Sequence, residues 1–265
     1  MIDLNWVRGE AAKLILEAGA RVAHASASPV HEKGGHYNFV TEMDVATQEF
    51  LREGLMRLIP DACFFAEEQE NNVLTDAYTW VVDPIDGTTN FIRGRHASSI
   101  SIALLKDREP VVALICQPYL NELYTAVKGQ GAFLNDQPIH VSALPFENAL
   151  ADIGTSPYYA ELWEATAYCF HQFLCHGGDI RRVGSAAIDC CDIACGRAEI
   201  FCEMRLSPWD IAAGALLIRE AGGCFMMPFE DKVDFSKTTC ILATNPVCRE
   251  AALNIVKQAK ELIKA

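Results

Sequence analysis

The chain has 265 residues, 51% hydrophobic and 22% charged, a balance that fits a folded globular protein and excludes a disordered one. Its net charge of −13 argues against a nucleic-acid-binding surface, since backbone binding needs clustered Lys and Arg, and no nucleic-acid partner is expected. No apolar run approaches the roughly 18 residues of a membrane span, and the first residues lack a charged segment followed by an apolar one; no membrane partner and a cytoplasmic location are expected.

In chain order, residues 3–25 carry Trp6, Val7, Leu14, Ile15, Ala18 and Val22 at helical spacing. Residues 26–38 read as a loop rich in Gly, His and Pro, with Lys33 inside it. Thr41-Glu42-Met43-Asp44 has the form of a capping box that opens a helix to about Leu58. Strand-like runs follow at 62–66, 79–83, 98–105, 110–117 and 122–127, and 95–142 reads mainly as an antiparallel meander. The pattern then alternates: strand 149–153, helix 159–174, strand 179–183, helix 185–195 and strand 199–203. A helix over 209–221, strands at 223–227 and 239–243, and a last helix from 247 complete the chain. Strands first and βα alternation afterwards indicate a mixed α+β and α/β fold of two sheets interleaved with helix layers. With no repeat or Pro/Ser-rich linker, the halves 1–147 and 148–265 are expected to form one compact unit.

The eleven cysteines include no Cys-x-x-Cys pair, so reduced thiols are expected, with Cys190, Cys191 and Cys195 on a buried helix. His171 and His176 lie five apart, which spreads them round a helix instead of aligning them as metal ligands.

The most informative stretch is Trp80-Val81-Val82-Asp83-Pro84-Ile85-Asp86-Gly87-Thr88-Thr89-Asn90-Phe91. An apolar strand ends in two aspartates three apart, held by a proline turn. Two hard oxygen donors then converge as a Mg²⁺-type cation requires. Gly87 lets the backbone come close to a ligand, and N–H groups from Gly87 to Asn90 would face a phosphate if a helix begins there. Carboxylates for metal beside amides for phosphate point to metal-assisted phosphoryl chemistry. The plain alternative is an Asx-rich turn after a buried strand.

Asp-Pro-Ile-Asp-Gly-Thr-Thr-Asn-Phe at 83–91 resembles the first signature of the inositol monophosphatase family, Mg²⁺-dependent and Li⁺-inhibited phosphomonoesterases. Trp209-Asp210-Ile211-Ala212-Ala213-Gly214-Ala215, followed by Glu220-Ala221-Gly222-Gly223, resembles the second, and Glu67-Glu68 follows an apolar run as in the family. The resemblance covers about residues 5–260 and implies a five-layer α-β-α-β-α sandwich of the sugar-phosphatase type, two or three Mg²⁺ per subunit and a homodimer.

By that resemblance Glu67, Asp83 and the Ile85 carbonyl hold a first metal, and Asp83, Asp86 and Asp210 a second; a third, weaker site again involves Glu67. Thr88 with Asp44, and Glu67 as base, would orient the attacking water; the plainer alternatives are Asp44 as a cap and Asp210 as an acid on a helix dipole. Lys33 matches a lysine on the family's mobile loop; Asn38 stands where an aspartate is common, and Ala66 where a glycine is. Substrate contacts are implied for Ile85, Asp86, Gly87, Thr88, Arg181, Gly184, Ser185, Ala186, Glu203 and Asp210, with tight helix packing the alternative for the small residues. Glu203, seven residues before Asp210, would accept hydrogen bonds from inositol hydroxyls. Residues 92–97 read Ile-Arg-Gly-Arg-His-Ala where relatives often carry an aromatic and a proline, and Arg93 and Arg95 would either meet a second phosphate or solvate a loop. The expected activity is hydrolysis of myo-inositol monophosphate. The rivals are the same chemistry on fructose 1,6-bisphosphate, histidinol phosphate or a 3′-phosphonucleotide, and a regulatory protein-binding role on the same fold.

Overall fold

The structure, a computed structural model, describes residues 2–25, 30–32 and 39–263. Lys33 and Asn38 lie outside the described residues. Helix α1 (Leu4–His24) is followed by β1 (Val30–Glu32) and β2 (Phe39–Thr41), an antiparallel pair, so part of the expected 26–38 loop is strand. Thr41 then caps α2 (Glu42–Leu58): its hydroxyl accepts from the Met43 and Asp44 N–H groups, and Asp44 accepts from the Thr41 N–H, completing the capping box.

The first sheet has seven strands in the order β3 (Cys63–Ala66), β4 (Thr79–Asp86), β5 (Ser99–Lys106), β6 (Glu109–Gln117), β7 (Glu122–Val127), β8 (Ala132–Leu134) and β9 (Gln137–Ile139). Only β3 and β4 pair parallel; the rest form the antiparallel meander. Between β4 and β5 lies α3 (Thr88–Ile92). The second sheet is built from β10 (Leu150–Ile153), β11 (Asp179–Arg181), β12 (Ile200–Leu206), β13 (Cys224–Met226) and β14 (Thr239–Thr244), in the order β11-β10-β12-β14-β13. Its helices are α4 (Trp163–His176), α5 (Ala186–Ala194), α6 (Pro208–Glu220) and α7 (Arg249–Ala259). A 3₁₀ turn over Ala160–Leu162 precedes α4, so the regular helix starts later than expected.

Strand alternation fixes the layers. On β5, Ile100, Ile102 and Leu104 face the cluster under α1 and α2, whereas Ala103 and Leu105 face α5 and α6. On β10, Ala151 and Ile153 pack with α4 and α7. The order is α1/α2, first sheet, α5/α6, second sheet, α4/α7: the five-layer sandwich. Helix α6 is buried from Ile211 to Ile218 on every side, as a helix apolar all round must be. No helix among the described residues is long and apolar enough to cross a membrane. All eleven cysteines are free thiols, with Cys190 and Cys191 buried.

Candidate active site and metal centre

Strand β4 runs through the aspartate motif and does not stop before it. Its register against β5 shifts between Asp83 and Asp86, a bulge that accommodates Pro84, which has no N–H to give the ladder. The bulge turns both aspartates toward the middle layer. Gly87 follows at φ 84°, where a side chain would be strained and would press on the Ala97 and Gly184 carbonyls at 3.1 Å. Helix α3 then starts at Thr88, but the Asn90 N–H is spent on the Gly87 carbonyl at 2.8 Å and is not free for a phosphate. Instead the Asn90 side-chain amide ties the segment down, donating to the Ala97 carbonyl at 2.8 Å and the Val183 carbonyl at 3.0 Å.

A cavity of about 580 Å³ opens over this turn. Asp83, Asp86 and Asp210 each place an oxygen within 4.8 Å of the other two, from β4 and the first turn of α6. Glu67, one residue past β3, lines the same cavity. Asp83 is 1% exposed and accepts from the Ile85 N–H at 3.0 Å. Asp86 accepts from the Ser185 hydroxyl at 2.6 Å and the Ala187 N–H at 2.7 Å, so the start of α5 holds it. Asp210 accepts from the Ser207 N–H at 2.6 Å. Burial pushes the Asp83 carboxyl well above its ordinary range, and Glu67, Asp86, Asp210 and Asp44 add to the rise. Asp210 is raised well above its range by burial, then by Asp86 and Glu67. Asp86 is raised by burial while Ser185 and the α5 amides hold it down. Among the described residues no Lys or Arg forms an ion pair with any of the three. Oxygen-only donors, converging and short of positive charge, fit a hard divalent cation.

Thr88 Oγ1 lies 3.0 Å from the Ile85 carbonyl and 3.3 Å from Asp44 Oδ1. With one proton it donates to one of them at a time. Asp44, 0% exposed, is therefore both the cap of α2 and a hydrogen-bond partner of Thr88.

Other expected residues are distributed differently. Arg181 does not line the cavity: it is exposed and pairs with Asp179 at 2.6 Å, while Arg182 lines the cavity in its place. Adjacent residues leaving β11 face opposite ways, and the motif alone does not say which arginine faces in. Ser185 Oγ is committed to Asp86 and lies 3.1 Å from Ser99 Oγ, so its hydroxyl serves the aspartate. Arg93 and Arg95 are exposed and are not among the cavity-lining residues. Gly184, Ala186 and Glu203 do line it. The sequence reading missed Gly154, Ser156, Tyr158, Tyr159 and Arg205, which come from the loop after β10 and from β12. Only the helix-breaking Gly-Thr-Ser-Pro run marks that loop, and it names no chemistry.

The sequence profile of the inositol monophosphatase family matches residues 3–261. The chain belongs to the inositol monophosphatase family. It is 35% identical over 261 residues to inositol monophosphatase 2 of Solanum lycopersicum, covering 95% of this chain and 97% of that one. It is 38% identical over 190 residues to Nus factor SuhB of Xylella fastidiosa, covering 70% of this chain and 68% of that protein. The solved IMPase of Thermotoga maritima superposes with a TM-score of 0.85 at 30% identity, covering 95% of this chain and 97% of its own. Family membership makes this a phosphoric monoester hydrolase fold with an acidic, metal-competent cluster at its centre.

Proposed function

We propose that the protein hydrolyses myo-inositol monophosphate to inositol and phosphate with Mg²⁺, two or three ions per chain. The observation that carries this reading is the convergence of Asp83, Asp86 and Asp210 in a cavity where, among the described residues, no Lys or Arg forms an ion pair with them. Glu67, Asp83 and the Ile85 carbonyl would hold one ion, and Asp83, Asp86 and Asp210 another. Bound there, divalent cations neutralise phosphoryl oxygens and lower the pKa of water. Ser185 and the α5 amides fix Asp86. Thr88, donating to Asp44, keeps its lone pairs to accept a hydrogen bond from one proton of the attacking water, and Glu67 takes the other proton as base. Gly184, Ala186 and Glu203 meet the cyclitol, with Glu203 accepting from its hydroxyls. Helices α5 and α6, packed against both sheets, support reading 1–147 and 148–265 as one unit.

A second reading, a regulatory role through a protein partner on the same fold, is favoured by the relatives named Nus factor SuhB. The intact acidic set supports catalysis beside any such role. Phosphate release across inositol monophosphate, fructose 1,6-bisphosphate, histidinol phosphate and a 3′-phosphonucleotide tests the reading. The highest kcat/KM is expected on inositol monophosphate. No release from any of the four would favour the binding-protein reading.

A further inference from the structure

The two carboxylate oxygens of Glu203 are not equivalent. The loop leaving β10 passes beside β12, continuing the ladder through a bond from the Gly154 N–H to the Cys202 carbonyl at 3.0 Å. Beyond it, Ser156 donates to Glu203 Oε1 twice, from its N–H at 2.9 Å and its hydroxyl at 3.2 Å. The same hydroxyl accepts from the Arg205 N–H at 3.1 Å, so the loop is tied to the strand on both sides of Glu203, through Gly154 to Cys202 and through Ser156 to Arg205. Ser156 is 3% exposed and sits at φ 39°, a conformation that a non-glycine residue keeps only where its surroundings enforce it. Gly154 meets the other oxygen. A Cβ there would stand 1.8 Å from Glu203 Oε2 and 2.1 Å from its Cδ, so the carboxylate occupies the space a side chain at 154 would need. Gly154 is required for room.

We propose that Gly154 and Ser156 are specificity-determining positioning residues: they commit Glu203 Oε1 to the protein and leave Oε2 to accept from the hydroxyls of a polyol phosphate. The inference rests on the phosphatase reading above and adds to it the way the alcohol half is recognised. A glutamate free to rotate would lose side-chain entropy each time substrate bound, and a glutamate already held does not. These contacts also favour its charged form. Burial pushes the Glu203 carboxyl up to about 7, and the two Ser156 donors with the Arg182 guanidinium work against that rise, while Asp86 adds to it.

The test compares inositol monophosphate with an aryl phosphate, which shares the phosphoryl group and lacks the polyol. Ser156→Ala is expected to raise KM for inositol monophosphate about 10-fold with kcat little changed, as loss of a hydrogen bond to a charged group predicts, and to leave both constants for the aryl ester unchanged. In a Glu203→Ala background, adding Ser156→Ala is expected to cost nothing further on inositol monophosphate, because the serine acts through that carboxylate. Gly154→Ala, which displaces the carboxylate directly, is expected to lose more on the polyol ester than Ser156→Ala; should it fail to fold, the serine cycle still decides. Equal losses on both esters, or a full additional loss in the Glu203→Ala background, overturn the inference while leaving the phosphatase reading intact. A wild-type protein that hydrolyses neither ester in Mg²⁺ contradicts the phosphatase reading, and this inference falls with it.

Discussion

Thr88→Ala separates two jobs for one hydroxyl. If the hydroxyl orients water in the transition state, kcat falls steeply and KM hardly moves; steady-state kinetics on inositol monophosphate would show unchanged kcat if Thr88 only braces the Ile85 carbonyl. A different residue-scale feature lies just behind the site. Asp152 of β10 and Asp189 of α5 are each 2% exposed, and Asp152 Oδ2 and Asp189 Oδ1 have no hydrogen-bond partner among the described residues. Burial first, then Asp192 and Glu199, pushes the Asp152 carboxyl up to about 7, with Arg181 opposing. Burial and the Asp152 charge push Asp189 well above its ordinary range. An unfolded aspartate titrates near 3.9, so between about pH 4 and pH 7 the folded state holds the extra proton. Its contribution is full below about pH 4 and is lost as pH rises through about 7. Asp152→Asn should therefore flatten the fall of Tm over that window, with its gain over wild type largest above pH 7. A Tm difference that does not vary with pH in scanning calorimetry would show that the pair does not hold a proton. Neither acid was legible in the sequence, because an aspartate in a short strand and another in a helix carry no spacing that pairs them.

Elements were legible where a single period governed them. The capping box at Thr41, the meander and the small-residue helix α6 follow from local pattern alone. The aspartate motif was legible as chemistry but not as strand, because a bulge that carries Pro84 inside β4 is a tertiary choice. The start of α4 shifted for a similar reason: a 3₁₀ turn over Ala160–Leu162 takes up residues whose composition suits a helix. Contacts between elements were the least legible, and Gly214 is an example. In an exposed helix, Gly to Ala gains roughly 1 kcal/mol from propensity. Here a Cβ would stand 2.5 Å from both Cβ and Sγ of Cys190, where α6 crosses α5. Gly214→Ala should instead destabilise by about 1–3 kcal/mol, as overpacking does. Denaturant unfolding would measure it, and a gain in stability would mean that the α5–α6 spacing relaxes freely. Because α5 also supplies the Ala187 N–H to Asp86, the same variant should weaken metal binding.

At the scale of the whole molecule, three aspartates of an acidic chain cluster where the first sheet and the middle-layer helices meet. Carboxylates from β4 and α6, with Glu67 after β3, converge there against their own repulsion, so folding and cation binding are coupled. Mg²⁺ should raise Tm for the wild type and much less for Asp83→Asn, whose carboxylate feels the charge of Glu67, Asp86, Asp210 and Asp44. The same variant should lose at least about 10³-fold in kcat, on the scale of a lost transition-state charge contact. The most direct measurement is phosphate release from inositol monophosphate by protein treated with EDTA and then supplied again with Mg²⁺. The account predicts no release in EDTA and full recovery on adding Mg²⁺. Undiminished turnover in EDTA would contradict it.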